Sequence, residues 1–154
     1  MGSYTSFLYH FIFGTKFRRP CIKPAAQKRV YRYIGGTIRS HDGVLIQIGG
    51  MPDHVHILSR LPGKHAVSDV VRDIKASSSK WIGEEDLLPE WNGWQVGYGG
   101  FSVSHSDSAQ VEAYIRNQAE HHRQKTFQEE YIEFLQKHEI KYDLEHLFEQ
   151  EYHG

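Results

Sequence analysis

The chain of 154 residues lacks several features that would classify it at once. It has one cysteine, Cys21, so no internal disulfide can form and a secreted disulfide scaffold is excluded. It has five prolines, no repeat and no low-complexity stretch, and its apolar share is that of an ordinary globular domain, which excludes wholesale disorder. No segment is long and apolar enough to span a bilayer. The uncharged stretch from Met1 to Thr15 is broken by Ser, Thr, Tyr and His, and it has no basic start of the kind a signal peptide carries. A cytoplasmic location without a membrane partner is the expectation. The glycines fit neither a Rossmann nor a P-loop spacing, so no nucleotide cofactor is expected. Net charge is nearly absent too, at a formal −1. What remains is a length suited to one domain, which at this size buries roughly two-thirds of the surface of its unfolded chain.

The missing net charge is an average over two unlike halves. Residues 1–82 hold 13 Lys+Arg against 4 Asp+Glu, whereas residues 83–154 hold 5 against 15. Such asymmetry points to a basic working face and an acidic remainder. The excess acid, in the 84–90 loop and after residue 128, is expected to face away from an anionic partner or to discourage non-specific binding to one.

The pattern along the chain alternates strands and helices. Residues 4–15 are rich in aromatic and β-branched types and read as a buried strand. Pro24 suits the first turn of a helix over 24–40, with Val30, Ile34 and Ile38 at helical spacing. Val44–Ile48 and His54–Ser59 read as two strands joined by the turn Gly49-Gly50-Met51-Pro52, hence an antiparallel hairpin. Ser68 is placed to cap a helix carrying Val70, Val71, Ile74 and Trp81. Residues 83–100 read as a loop, Phe101–Ser104 as a fourth strand, and 109–124 and 126–137 as helices. Strand, helix, strand, strand, helix, strand is the split βαβ order of a ferredoxin-like α+β domain: an antiparallel sheet with two helices on one face and the other face open. One domain over 1–140 with an acidic tail over 141–154 is expected.

Three segments carry candidate chemistry. In Pro52-Asp53-His54-Val55-His56-Ile57-Leu58 a strand puts His54 and His56 on one face, where two imidazoles suit one divalent metal or stand as ordinary polar residues. In Tyr114-Ile115-Arg116-Asn117-Gln118-Ala119-Glu120-His121-His122 a helix stacks Tyr114 next to Gln118, with Val111, Ile115 and Ala119 on an adjacent apolar face. A tyrosine beside a metal ligand can serve as a nucleophile; alone it is a half-buried helix tyrosine. Gly97, Gly99 and Gly100 allow a sharp or hinged approach to the fourth strand, or a plain bulge.

Taken together, the Tyr9-His10-Phe11-Ile12-Phe13 strand, the Met51-Pro52-Asp53-His54-Val55-His56 motif, and Gly97-Tyr98-Gly99-Gly100-Phe101-Ser102-Val103-Ser104 followed by Tyr114-Ile115-Arg116-Asn117-Gln118 resemble the single-tyrosine HUH transposases, including the REP-associated tyrosine transposases. The resemblance spans about residues 4–124. It implies cleavage and rejoining of single-stranded DNA with hairpin ends through a 5′-phosphotyrosine. It also implies Tyr114 as nucleophile, His54, His56 and Gln118 as ligands of Mg²⁺ or Mn²⁺, and Gly97, Gly99 and Gly100 as a hinge. It implies a homodimer as well, in which the tyrosine helix of one subunit can complete the site of the other. Within the basic half, Lys16, Arg18, Arg19, Lys23, Lys28, Arg29 and Arg32 are the candidate DNA-backbone contacts, with Lys64, Arg72, Lys75 and Lys80 as an extension. Two other readings use the same residues. One is an RRM-like module that binds single-stranded nucleic acid on an open sheet face without catalysis. The other is a metal-dependent hydrolase using His54, His56 and His121 or His122, with water as nucleophile.

Overall fold

The computed structural model describes residues 2–148. Its centre is a four-stranded antiparallel sheet built from β1 (Leu8–Gly14), β2 (Val44–Met51), β3 (His54–Arg60) and β4 (Gly99–Val103), in the order β2-β3-β1-β4. Together with α1 (Pro24–Ser40) between β1 and β2 and α2 (Val67–Glu84) between β3 and β4, this is the expected ferredoxin-like α+β topology. Three further helices follow: α3 (Ser108–Arg116), the single turn α4 (Gln118–His121) and α5 (Phe127–Lys137).

Strand alternation sorts the two faces. Phe11 and Phe13 of β1 stand beside Val55 and Ile57 of β3, and all four are fully buried. Val30, Ile34 and Ile38 of α1 and Val70, Val71 and Ile74 of α2 close this face into the main apolar core. Removing a side chain of this size from water contributes roughly 1.5–3 kcal/mol. Pro24 opens α1 in the position where its missing N–H costs nothing. The intervening residues of the same strands, His10, Ile12, His54 and His56, therefore face the other way. There a second apolar cluster forms from Ile12 and Phe101 of the sheet and Phe127, Tyr131 and Leu135 of α5. Leu147 and Phe148 pack against it, so the acidic tail docks at least this far; its residues 149–154 lie outside the described residues.

Several boundaries differ from the sequence-based expectation. The first strand begins at Leu8 rather than residue 4, leaving Tyr4 fully exposed. β2 runs on through Gly49, Gly50 and Met51, so the hairpin turns at Pro52-Asp53 instead of over four residues. Ser68 lies inside α2; Ala66 holds the cap position and makes no side-chain bond there. The helix expected over 109–124 is interrupted at Asn117, whose backbone (φ −99°, ψ 28°) leaves the helical region. The larger correction concerns the second face of the sheet. It is not open, because α3, α4 and α5 return over it.

Candidate active site

Four elements meet over the second face of the sheet. β3 supplies His54 and His56, both with no exposed surface. α3 supplies Tyr114, α4 supplies the buried Gln118, and α5 supplies Glu130. The approach of α3 depends on a glycine. A Cβ at Gly49 of β2 would stand 2.6 Å from the backbone oxygen of Ile115, so a side chain here would push the Tyr114 helix off the sheet. α5 is fixed at its start by a reciprocal cap, in which Glu129 N–H donates to Thr126 Oγ1 and Thr126 N–H donates to Glu129 Oε1. Phe127, Glu130, Tyr131 and Leu135 then form its buried stripe.

The two imidazoles share a pattern. His54 Nε2 lies 2.9 Å from Gln118 Oε1 and 3.4 Å from Glu130 Oε1, while its Nδ1 is held by Asp53 Oδ1 at 2.7 Å. His56 Nε2 donates to Glu130 Oε1 at 2.8 Å, while its Nδ1 is held by His10 Nε2 at 2.8 Å. Each ring thus turns Nε2 into one centre and has Nδ1 fixed from behind, which is how metal-ligating histidines are oriented. His122 adds a third ring, with Nε2 3.1 Å from Glu130 Oε1 and Nδ1 donating to Lys125 O at 2.8 Å. One ligand atom from each of His54, His56, His122 and Glu130 lies within 4.8 Å of the others. This buried group can bind a metal ion, with imidazole nitrogen, carboxylate oxygen and the amide oxygen of Gln118 as its donors.

Tyr114 belongs to the same centre. Its O–H donates to Glu130 Oε2, and Gln118 Nε2 also donates to that oxygen, at 3.3 Å. The phenol ring lies against the face of His121, with ring centres 4.2 Å apart. A groove of about 520 Å³ runs alongside, lined by Gln110, Asn117, Lys125 and Lys137 among others.

Burial dominates the electrostatics. It disfavours a charged His56, whose pKa falls to about 4 although Glu130 acts against the shift. It disfavours a charged His54 as well, but there the hydrogen bonds to Asp53 and Glu130 prevail and push the ring up to about 9. His10 is lowered by burial and by His56. Burial works against the Glu130 carboxylate, yet the hydrogen bonds from His122, His54 and His56 hold it firmly ionised. Burial, then the hydrogen bond to Glu130 and after it the Glu130 charge, push the Tyr114 phenol well above its ordinary range.

The structure brings Tyr114, Gln118, His54 and His56 together and disperses the rest of the candidate residues. Lys16, Arg18 and Arg19 sit in a short turn after β1, and Lys23 occupies the residue before α1. Lys28, Arg29 and Arg32 point outward from α1, on the side of the sheet opposite the histidines. Arg29 lies over Trp81, and Arg18 lies over Phe148. Lys75 is committed to the loop before β4, donating to Gln95 O at 2.7 Å and Gly97 O at 2.6 Å. Among the hinge glycines, Gly99 and Gly100 are ladder residues opposite Ile12 and Phe11; only Gly97 precedes the strand, with φ 81°.

Two residues of the site, His10 and Glu130, have no role in the sequence reading, and His122 enters it only under an alternative. His10 was part of a strand motif without a role. His122, together with His121, is offered there as the third histidine of a metal-dependent hydrolase in place of Gln118. Glu130 was counted with an acidic region expected to face outward, and the structure corrects this, because it is the buried carboxylate at the centre. The signal was available: Glu130 falls on the apolar stripe with Phe127, Tyr131 and Leu135. An acid at such a spacing is rarely left buried without partners.

Comparison with known proteins adds a second line. The family model described as transposase IS200 like matches residues 3–118. The ISDra2 transposase TnpA of Deinococcus radiodurans is 26% identical over 115 residues, covering 71% of this chain and 82% of that protein. A crystal structure of a candidate transposase from Deinococcus radiodurans R1 shares 26% identity at a TM-score of 0.62, covering 77% of this chain and 95% of that one. A REP-associated tyrosine transposase bound to a REP hairpin shares the fold, at TM-score 0.57 and 20% identity, with 75% and 70% of the two chains covered. The family match ends at Gln118, so Tyr114 lies inside it while His122 and Glu130 lie outside.

Proposed function

The chain belongs to the family of IS200-like transposases, and on that premise we propose that it cleaves and rejoins single-stranded DNA through a covalent bond between Tyr114 and a 5′ phosphate. One observation carries the reading: the Tyr114 phenol and His56 Nε2 are hydrogen-bonded to the same carboxylate, Glu130, and His54 Nε2 lies 3.4 Å from it. A nucleophile and a candidate metal centre therefore share one small volume. The donors fit the divalent ion that the family resemblance implies. His54, His56 and Gln118 would hold it, with Glu130 within reach, and a nitrogen-rich set of this kind suits Mn²⁺ better than Mg²⁺. When bound, such an ion acts as a Lewis acid on the scissile phosphate.

The chain's own residues do the rest. Asp53 and His10 fix the two imidazoles from behind, which keeps the Nε2 atoms aimed inward. His121 stacks on Tyr114 and restrains its ring. Lys125 and Lys137 line the groove beside the phenol and can accompany a phosphate backbone. Lys16, Arg18, Arg19 and Lys23, between β1 and α1, and Lys28, Arg29 and Arg32, on the far side of the sheet, are further backbone contacts for a DNA hairpin that reaches beyond the groove, the kind of ligand carried by the REP-associated relative. Gly97 serves as the hinge ahead of β4. A homodimer is the assembly that the family resemblance implies, with the tyrosine helix able to complete the site of its own or of the partner subunit, and cytoplasmic DNA is the substrate pool. An RRM-like role is disfavoured because α3–α5 cover the sheet face that such a module needs open.

Incubation with labelled single-stranded hairpin DNA and Mn²⁺, followed by a denaturing gel, tests the reading. A covalent protein–DNA band is expected, lost with chelator and in Tyr114→Phe. An adduct undiminished in Tyr114→Phe would sink the nucleophile assignment. Cleavage without any adduct would favour the hydrolase reading, in which His122 joins His54 and His56 and water attacks.

A further inference from the structure

We propose that the groove along α1 beside Trp81 of α2 is a second site for single-stranded DNA, in which an unpaired base stands over Gly36 and its flanking phosphates meet Arg29 and Arg32. The inference rests on the reading above only in taking single-stranded DNA as the substrate. It goes beyond that reading, which gives the two arginines a contact with a DNA backbone and nothing that holds a base.

The groove has a volume of about 610 Å³. Residues four apart share a helix face, so Arg32, Gly36 and Ser40 form one row along α1, and Arg29, Tyr33 and Thr37 form the next. The rings of Tyr33 and Trp81 lie nearly parallel, 15° apart in plane and 4.6 Å between centres, and give the groove an aromatic wall. None of the lining residues is acidic. Arg29 lies over the Trp81 ring and reaches Glu85 only at 3.9 Å, with both side chains about half exposed. Arg32 is exposed and has no ion-pair partner among the described residues. Guanidinium donors at this end of the groove are therefore open to an anion.

Gly36 is the second observation. A glycine inside a helix weakens it relative to alanine, so its presence asks for a reason. Gly35 has one in the packing, because a Cβ there would stand 3.1 Å from Leu45 Cδ2. Gly36 has none. A Cβ there would meet Arg39 Nη2 at 3.8 Å, an ordinary contact with the end of a flexible side chain. Its φ is not positive, so no turn demands glycine either. What the missing side chain leaves is a clear patch of helix beside the stacked rings, one turn from Arg32.

A flat apolar wall next to cationic forks selects a planar group with negative charge on either side of it. An unpaired nucleotide has that form, and proteins that hold single strands combine stacking rings with basic grooves in this way. An acidic peptide would use the arginines and leave the rings idle. A duplex keeps its bases paired and would offer phosphates alone. Because α1 and α2 cover the side of the sheet opposite His54 and His56, a base held here belongs to a segment that is not reacting. The groove thus retains a strand while another stretch of DNA occupies the Tyr114 centre.

The test uses the full chain with chelator present, so that binding is read without the covalent step. The probes are a fluorescent single-stranded oligonucleotide that cannot fold on itself and the same strand carrying 5-iodouracil for photo-crosslinking. Wild type is expected to crosslink through Tyr33 or Trp81, identified by mass spectrometry. Gly36→Leu extends a side chain into the groove from a position where a Cβ fits, and leucine is the better helix former, so this variant is expected to melt no lower than wild type. Its affinity for the strand is expected to fall at least about fivefold, the low end of what one stacked base is worth. Arg32→Gln is expected to weaken binding and to lower the slope of log affinity against log salt by about 0.7, the share of one phosphate on a single strand. Affinity of Gly36→Leu within about twofold of wild type, or crosslinks confined to α3–α5, would overturn the proposal and leave the active-site reading standing. A loss of affinity that only accompanies loss of a dimer, followed by sedimentation, would also overturn it and give the groove to a second copy of the chain. Absence of any single-strand binding by wild type would instead remove the reading on which both rest.

Discussion

The two faces of one strand make the central contrast. On one side of β3, Val55 and Ile57 enter a core of aliphatic and aromatic side chains under α1 and α2. On the other, His54 and His56 enter a buried network of three imidazoles, an amide, a phenol and a carboxylate under α3–α5. The first face gains stability with every apolar contact. The second must satisfy each polar group it buries, because an unpaired one costs about 1–3 kcal/mol. Folding is secured on one face, and chemistry is placed on the other by a shift of one residue.

The contrast predicts opposite phenotypes for neighbouring positions. Ile57→Ala, on the apolar side, is expected to cost about 2–5 kcal/mol in denaturant unfolding, with Mn²⁺ affinity of the folded fraction unchanged. His56→Ala, one residue away, is expected to abolish tight Mn²⁺ binding by calorimetry with a smaller change in stability. Equal losses of both properties in both variants would erase the distinction between the faces.

A more local break is available at Gly49. Its Cα lies under Ile115, and Gly49→Ala is expected to cost about 1–3 kcal/mol by overpacking. Because the displaced element carries Tyr114, covalent adduct formation should fall by at least about tenfold in the protein that remains folded. Unchanged adduct formation would mean that α3 moves without disturbing the site.

The smallest effect is a pH dependence of the metal-free fold. His56, lowered to about 4, and His10, also lowered, bind fewer protons folded than unfolded. Their contribution is therefore present above the ordinary histidine pKa near 6.5 and lost as the pH falls through the range toward 4. His54 has the opposite sign: with its folded pKa raised to about 9, its contribution is fully present below the ordinary value near 6.5 and is lost as the pH rises from there through 9. Thermal melts across this range should show a maximum between the two. In His56→Ala the acid limb should flatten while the alkaline limb stays.

Much of this contrast was legible in the sequence, for stated reasons. Strand alternation alone put His54 and His56 on the face opposite Val55 and Ile57. Helical spacing at Val30, Ile34 and Ile38 placed α1 on the apolar side. Tyr114 and Gln118 were found through their spacing and the family resemblance. What the sequence concealed is long-range. Nothing local in Asn117 announced a helix break, and Ala119, assigned to the packed face of a continuous helix, is exposed as a result. Gly99 and Gly100 looked like a hinge because glycine permits one, but the ladder with β1 claimed them. Glu130 lies 74 residues from His56, and no period within α5 could reveal that its carboxylate would meet β3.

The ring of Phe127 lies nearly parallel to His54, with centres 4.6 Å apart. A Cβ at Gly14, on the strand beneath, would come within 2.7 Å of that same phenylalanine. This ring covers His54 from the α5 side. His54 and His56 expose no surface, so an ion entering from solvent would have to displace side chains of α5 before it met either nitrogen, and leaving would require the same displacement.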